Sequence, residues 1–204
     1  WKDYVSYGQT LQAWSGFTHL TGFPDTDPSG PASAYSDAIG GIAGAQALLL
    51  ALIHRAKTGE GQWIDLSQFE SLAALLETLV LDLSINHLDN VTKRTGNRLP
   101  YGDGSPHGVY RCQGDDRWVA ITVFSDSEWD SFRNAIGAPD WASEPKYSTT
   151  LGRLKNAVEL DRLVENWTIQ HTAEQVMAIL QNANVASGVV QTGEDLVEND
   201  PHLQ

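Results

Sequence analysis

Cysteine is nearly missing from this chain: Cys112 is the one thiol in 204 residues. That excludes an internal disulfide and points to a reducing compartment, so a cytoplasmic location is expected. Basic residues are scarce too. Thirteen Lys and Arg against 26 Asp and Glu leave a formal net charge of -13. Nucleic acid and anionic membrane surfaces both need a basic face, so neither is an expected partner. The six histidines are scattered and show no ligand spacing, so no metal is expected. The longest apolar run, Ala38–Ile53, is interrupted at Gln46 and falls short of the ~20 residues of a membrane span. The chain opens Trp1-Lys2-Asp3-Tyr4, with no secretory leader and no initiator methionine, and reads as an internal piece of a longer protein.

What is present is a globular composition, 41% hydrophobic, organised around Ser36–Leu66. Asp37 stands at the head of a long apolar pattern and reads as its N-cap. The helix dipole favours a negative charge at that end and cations at the other, where His54, Arg55 and Lys57 stand. Gly59 reads as the stop and Gln62–Leu66 as a strand. Gly40, Gly41 and Gly44 exceed what a structural helix needs, since each costs roughly 1 kcal/mol relative to alanine. Close approach of a backbone or a ligand is the usual reason for such glycines.

The remaining elements follow from periodicity and punctuation. Residues 1–35 end in a breaker-rich loop, Gly22–Pro31. Ser67-Gln68-Phe69-Glu70 is a capping box opening a second helix, with Leu72, Leu75, Leu76, Leu79, Val80 and Leu83 as core. Arg94–Gly108, RTGNRLPYGDGSPHG, is a long irregular loop. Val109–Cys112 and Trp118–Val123 form an expected hairpin, with Cys112 a buried strand residue. Ser125 and Thr172 open capped helices, Leu151–Trp167 is amphipathic, and Ser187–Gln191 reads as a short strand.

Asp37, the glycine-rich helix and the run Arg55-Ala56-Lys57-Thr58-Gly59-Glu60-Gly61-Gln62 together resemble the family III CoA-transferases of the CaiB/BaiF type. The R-x-x-T-G-x-G-Q signature is carried by Arg55, Thr58, Gly59, Gly61 and Gln62. Further matches are Ala13–Gly22, the loop Gly96–Gly108 and the closing Asp200–Leu203, so the resemblance covers essentially the whole chain. It implies an α/β fold: residues 1–88 as the central part of a large Rossmann-like domain, and 89–204 as a linker and a smaller α+β domain. It also implies an interlocked homodimer.

The resemblance further implies that Asp37 is a nucleophile. It would carry CoA from an acyl-CoA donor to a carboxylic acid acceptor through an aspartyl-CoA thioester. Coenzyme A, as acyl-CoA substrate, is the one cofactor expected. Gly40 and Gly41 would let it approach, and their N–H groups would face the oxyanion. Gly102 and Gly104 would belong to a loop that shields the intermediate from water. Arg94 and Arg98 would meet a CoA phosphate or the acid substrate.

Two other readings stay open. Racemases of α-methylacyl-CoA keep the aspartate but need a second acid/base, and the matching region near Tyr7 and Gly8 holds no histidine. An inactive, truncated dimerisation partner is the non-enzymatic alternative. The donor and acceptor acids are not legible, because no motif carries them.

Overall fold

The computed structural model describes residues 5–31, 33–86, 94–99 and 104–203. The chain divides into two compact units, Trp1–Gly96 and Asn97–Gln204. The sequence reading put the boundary after residue 88.

The first unit is helical, with no strand among its described residues. It contains α1 (Gly8–Trp14), the one-turn α2 (Phe17–Leu20), α3 (Tyr35–Thr58), α4 (Gln68–Ala74) and α5 (Glu77–Asn86). Helix α3 is the 24-residue axis, and α1 and α4 pack against it. It ends as its composition dictates. Gly59 takes a left-handed φ of 79° and its N–H closes on the Arg55 carbonyl at 2.8 Å. The Thr58 hydroxyl donates to the His54 carbonyl and accepts from the Glu60 N–H.

Four expectations for this unit are corrected. Asp37 is not the N-cap: Ala34 takes that position without a side-chain bond, and Asp37 is the third residue of the helix. Gln62–Leu66 is extended chain rather than strand, because no described strand lies beside it to complete a ladder. Trp63 there is 92% exposed. The second helix is two. At Leu75 and Leu76 the N–H groups bond three residues back, to Leu72 and Ala73, and that tightening separates α4 from α5. Of the residues expected there as core, Leu72 is fully buried, whereas Leu75, Val80 and Leu83 are exposed.

Helix α3 is also long and apolar enough to cross a membrane, by length and composition alone. The apolar run read from the sequence, Ala38–Ile53, fell short of that length, whereas the helix spans Tyr35–Thr58. Ile42, Leu48, Leu49, Leu50 and Ile53 on it are exposed, and Ser36 and Gly40 are its buried residues.

The second unit closes a core of its own. Strands β1 (His107–Arg111), β2 (Trp118–Thr122) and β3 (Ala186–Val189) form an antiparallel sheet with β2 in the middle. The register pairs Tyr110 with Val119 and Val119 with Val189. The other elements are α6 (Asp126–Ala135), the 3-10 turns Asp140–Ser143 and Pro145–Tyr147, α7 (Thr150–Lys155), α8 (Ala157–Thr168), α9 (Ala173–Asn182) and a π-helical turn, Asp195–Asn199. Val119, Ile121, Trp129, Phe132, Leu160, Val164, Val176 and Leu180 make the centre.

The capped starts stand where the sequence placed them. The Ser125 side chain accepts from the Glu128 N–H, and Thr172 with Gln175 forms a full capping box. Leu151–Trp167 is broken at Asn156, which ends α7, caps α8 and returns its side-chain amide to the Gly152 carbonyl. Cys112 is buried just past β1, and burial pushes its thiol up to about 11.

Candidate active site

Asp37 lies in the first turn of α3, exposed, its own N–H bonded to the Ala34 carbonyl at 3.0 Å. The neighbouring residue anchors the turn. Ser36 is fully buried and its hydroxyl donates to the Gly8 carbonyl of α1. A Cβ on Gly8 would stand 2.7 Å from the Ala34 Cβ, so α1 approaches the start of α3 through a glycine. Gln12, also buried, donates to the Ser33 carbonyl at 3.0 Å and ties down the chain entering the helix.

Beyond Asp37 the small residues divide into two roles. Gly40 is buried under Gln68, the first residue of α4, and a Cβ at Gly40 would meet the Gln68 Cγ at 2.7 Å. The close approach therefore comes from a side chain of this chain. It has a consequence at the carboxylate, because Gln68 Nε2 donates to Asp37 Oδ1 at 3.4 Å. Gly41 faces open space, with nothing within 4 Å of where its Cβ would be. Asp37 and Gly41 are exposed one turn apart near the positive end of a long helix. Gln68 was missed as a site residue. Its signal was the capping box that starts at Ser67, which fixes where α4 begins and so where its first side chain points; Ser67 does accept from the Glu70 N–H.

The other sequence candidates are placed elsewhere. In the first unit, Arg94 gives its guanidinium to three carbonyls, those of His19, Phe23 and Thr26. It is engaged in clamping the loop after α2. Arg98 and Gly104 belong to the second unit. Arg98 pairs with Asp161 at 3.4 Å. Gly104 is packed on Phe124, whose ring atoms would stand 3.2 Å from an added Cβ. Gly102 lies outside the described residues.

Asp161 sits in a polar cluster. It accepts from the Tyr110 hydroxyl at 2.9 Å, and burial holds its carboxyl above the usual range. The same enclosure, with Asp161 beside it, raises the Tyr110 phenol. Among the described residues no group of His, Cys, Asp and Glu is arranged to hold a metal ion.

Comparison with known proteins gives a consistent answer. The model of CoA-transferase family III matches residues 1–204. The succinyl-CoA–D-citramalate CoA-transferase of Chloroflexus aurantiacus is 29% identical over 203 residues, all of this chain and 49% of that enzyme. The succinate–glutarate CoA-transferase of Agrobacterium fabrum is 26% identical over 204 residues, again all of this chain and 49% of that one. Among solved structures, a CaiB/BaiF family protein from Brucella suis superposes with a TM-score of 0.85 at 27% identity, covering 98% of this chain and 51% of that chain. The chain thus spans about half the length of the relatives it matches. By its match along the whole of its length, this mixed α/β, mostly helical chain belongs to CoA-transferase family III.

Proposed function

We propose that this chain carries the nucleophile of an acyl-CoA:carboxylate CoA-transferase, and that the nucleophile is Asp37. The observation that supports it most is the exposed carboxylate on the first turn of a 24-residue helix, held on one oxygen by Gln68 and bordered by the bare Gly41. The second oxygen is left to react. It attacks the thioester carbonyl of the donor, the C–S bond breaks, and a mixed anhydride and CoA thiolate result. The thiolate attacks the aspartyl carbonyl and expels the donor's acid as its carboxylate, leaving an aspartyl-CoA thioester. The acceptor carboxylate attacks that thioester, and the same two steps in reverse release a new acyl-CoA and restore Asp37. The positive end of the α3 dipole favours the negative charge that develops beside Asp37 in the tetrahedral intermediates.

Succinyl-CoA as donor and a small dicarboxylic acid as acceptor are the substrates we favour, on the names of the relatives. In this reading the first unit is the central part of the large Rossmann-like domain and the second is the smaller α+β domain. The exposed apolar side of α3 is then protein core completed by further chain or by a second protomer of a homodimer, and lies in no membrane. The buried Cys112 thiol is compatible with a cytoplasmic location.

The test is intact-mass and peptide-map spectrometry after incubation with a panel of acyl-CoAs, on this chain and on any longer protein that contains it. A CoA-sized adduct on the Asp37 peptide, lost in Asp37→Ala, is expected. A folded, CoA-binding, full-length protein that acquires no adduct would overturn the assignment and favour the racemase chemistry.

A further inference from the structure

Asp37 and Gly40 stand three residues apart on α3 and so share a face of that helix. The Gln68 side chain lies along this face. A Cβ at Gly40 would stand 2.7 Å from Gln68 Cγ, 3.4 Å from Cδ and 3.3 Å from Nε2, so the amide arm rests on the glycine. Its end reaches Asp37, where Nε2 donates to Oδ1 at 3.4 Å. The base of the arm is fixed as well. The Ser67 hydroxyl accepts from the Glu70 N–H, and the Ser67 carbonyl accepts from both the N–H and the hydroxyl of Ser71. Helix α4 itself packs on α3 and α1. Gln68 is thus aimed at one oxygen of the carboxylate, and the fit requires a residue without a Cβ at position 40.

The two oxygens of Asp37 have different fates in transfer. The one that attacks the donor becomes the bridge of the anhydride. It leaves with the donor's acid when the CoA thiolate adds to Asp37 Cγ. The other stays on Cγ throughout and takes the negative charge twice. It does so when the thiolate adds to make the aspartyl-CoA thioester, and again when the acceptor carboxylate adds to expel the thiolate. At the carbonyl carbons of donor and acceptor the charge falls on a substrate oxygen instead. We propose, on the reading of Asp37 as the nucleophile, that Gln68 is a catalytic residue for the two additions at Asp37 Cγ, its amide N–H holding Oδ1 as that oxygen becomes the oxyanion. A donor at 3.4 Å holds the ground-state carboxylate weakly and gains strength as full charge collects on Oδ1. That difference is what lowers a barrier. Oδ2 is then the oxygen that attacks.

Rapid-quench mass spectrometry with succinyl-CoA, on the full-length protein that contains this chain, is the test. Gln68 is exposed, so substitutions there keep the fold. Gln68→Met keeps the arm over Gly40 and removes the donor. The CoA adduct on the Asp37 peptide should form about a hundredfold more slowly than in the parent, with the KM for succinyl-CoA unchanged. Gln68→Glu sets a like charge against Oδ1 and should be slower still. Hydroxylamine, added to the thioester form of the protein freed of donor, attacks the same Cγ and expels CoA thiolate as the hydroxamate forms. That step involves neither donor nor acceptor binding, and should be about tenfold slower in Gln68→Met. Parental rates of both steps in Gln68→Met, or a change confined to KM, would overturn the role of Gln68 and leave Asp37 in place. A CoA adduct that persists in Asp37→Ala would instead remove the nucleophile, and Gln68 with it.

Discussion

The two units of this chain bury their apolar residues to opposite extents. In the second, Trp129, Phe132, Leu160, Val164 and Leu180 all lie inside one core. In the first, the main apolar helix leaves Ile42, Leu48, Leu49, Leu50 and Ile53 in the open and buries Ser36 and Gly40 instead. A helix hydrophobic all round belongs inside a larger core or against a partner. The lesson is that periodicity reports which residues want burial, while burial itself depends on what the chain has available to cover them. The second unit contains its own cover, whereas those five residues of α3 stay exposed.

The largest effect that would break this contrast is in the core. Trp129→Ala should cost about 4 kcal/mol in urea unfolding, whereas Leu49→Ala, at a position 61% exposed, should stay within about 0.5 kcal/mol. Equal costs would show that α3 is already covered. Next comes Arg153, fully buried, which donates to the Ser105 and Tyr147 carbonyls, pairs with Asp126 at 3.0 Å and lies over the Trp129 ring. Arg153→Leu should destabilise the second unit by about 3 kcal/mol, because two buried carbonyls lose their donor; a smaller loss would mean water replaces it.

Smaller effects sharpen the contrast at the site. Gly41→Ala should stabilise α3 by up to about 1 kcal/mol, since its Cβ meets nothing in this chain, yet lower affinity for an acyl-CoA. Gly40→Ala should lose that gain by pushing Gln68 away from Asp37. Thermal melts and CoA titrations of the two variants decide it. If both gain stability alike, Gly40 holds nothing in place.

The smallest expected effect is at Asp195. The Thr192 N–H, then Arg117 at 2.6 Å and the Thr192 hydroxyl, hold its carboxyl down at about 2, below the 3.8 of the free side chain. A depressed acid stabilises the fold when ionised. That contribution is complete above 3.8 and is lost as pH falls through about 2. Acid melts of the parent should show an excess loss in that window, which Asp195→Asn removes.

Local chemistry was legible and distant contact was not. Gly59 as a helix stop, the hairpin around Tyr110 and Val119, and the Thr172–Gln175 capping box are decided by a few neighbouring residues. The break at Leu75–Leu76 carries no glycine or proline, and the split at Asn156 depends on its amide finding Gly152. The extended Gln62–Leu66 has the residues of a strand, but a ladder needs a partner that no local pattern supplies. At the site, Asp37 was placed at the helix head, although one turn further in than a cap. Arg94 was expected to meet a CoA phosphate or the acid substrate, and its guanidinium is engaged with the carbonyls of His19, Phe23 and Thr26, some seventy residues earlier.

By itself, then, the sequence determined the helix that carries Asp37, its glycine face, its stop and the family signature around Arg55, because apolar pattern and φ preference act within a turn or two. Only the tertiary structure decided that Gln68 fills the space over Gly40 and reaches Asp37, and that Arg98, His107 and Asp161 surround one cavity. Those contacts join residues 31 and 63 positions apart. Closing such a loop is decided by the packing of whole helices, which no short stretch of sequence encodes.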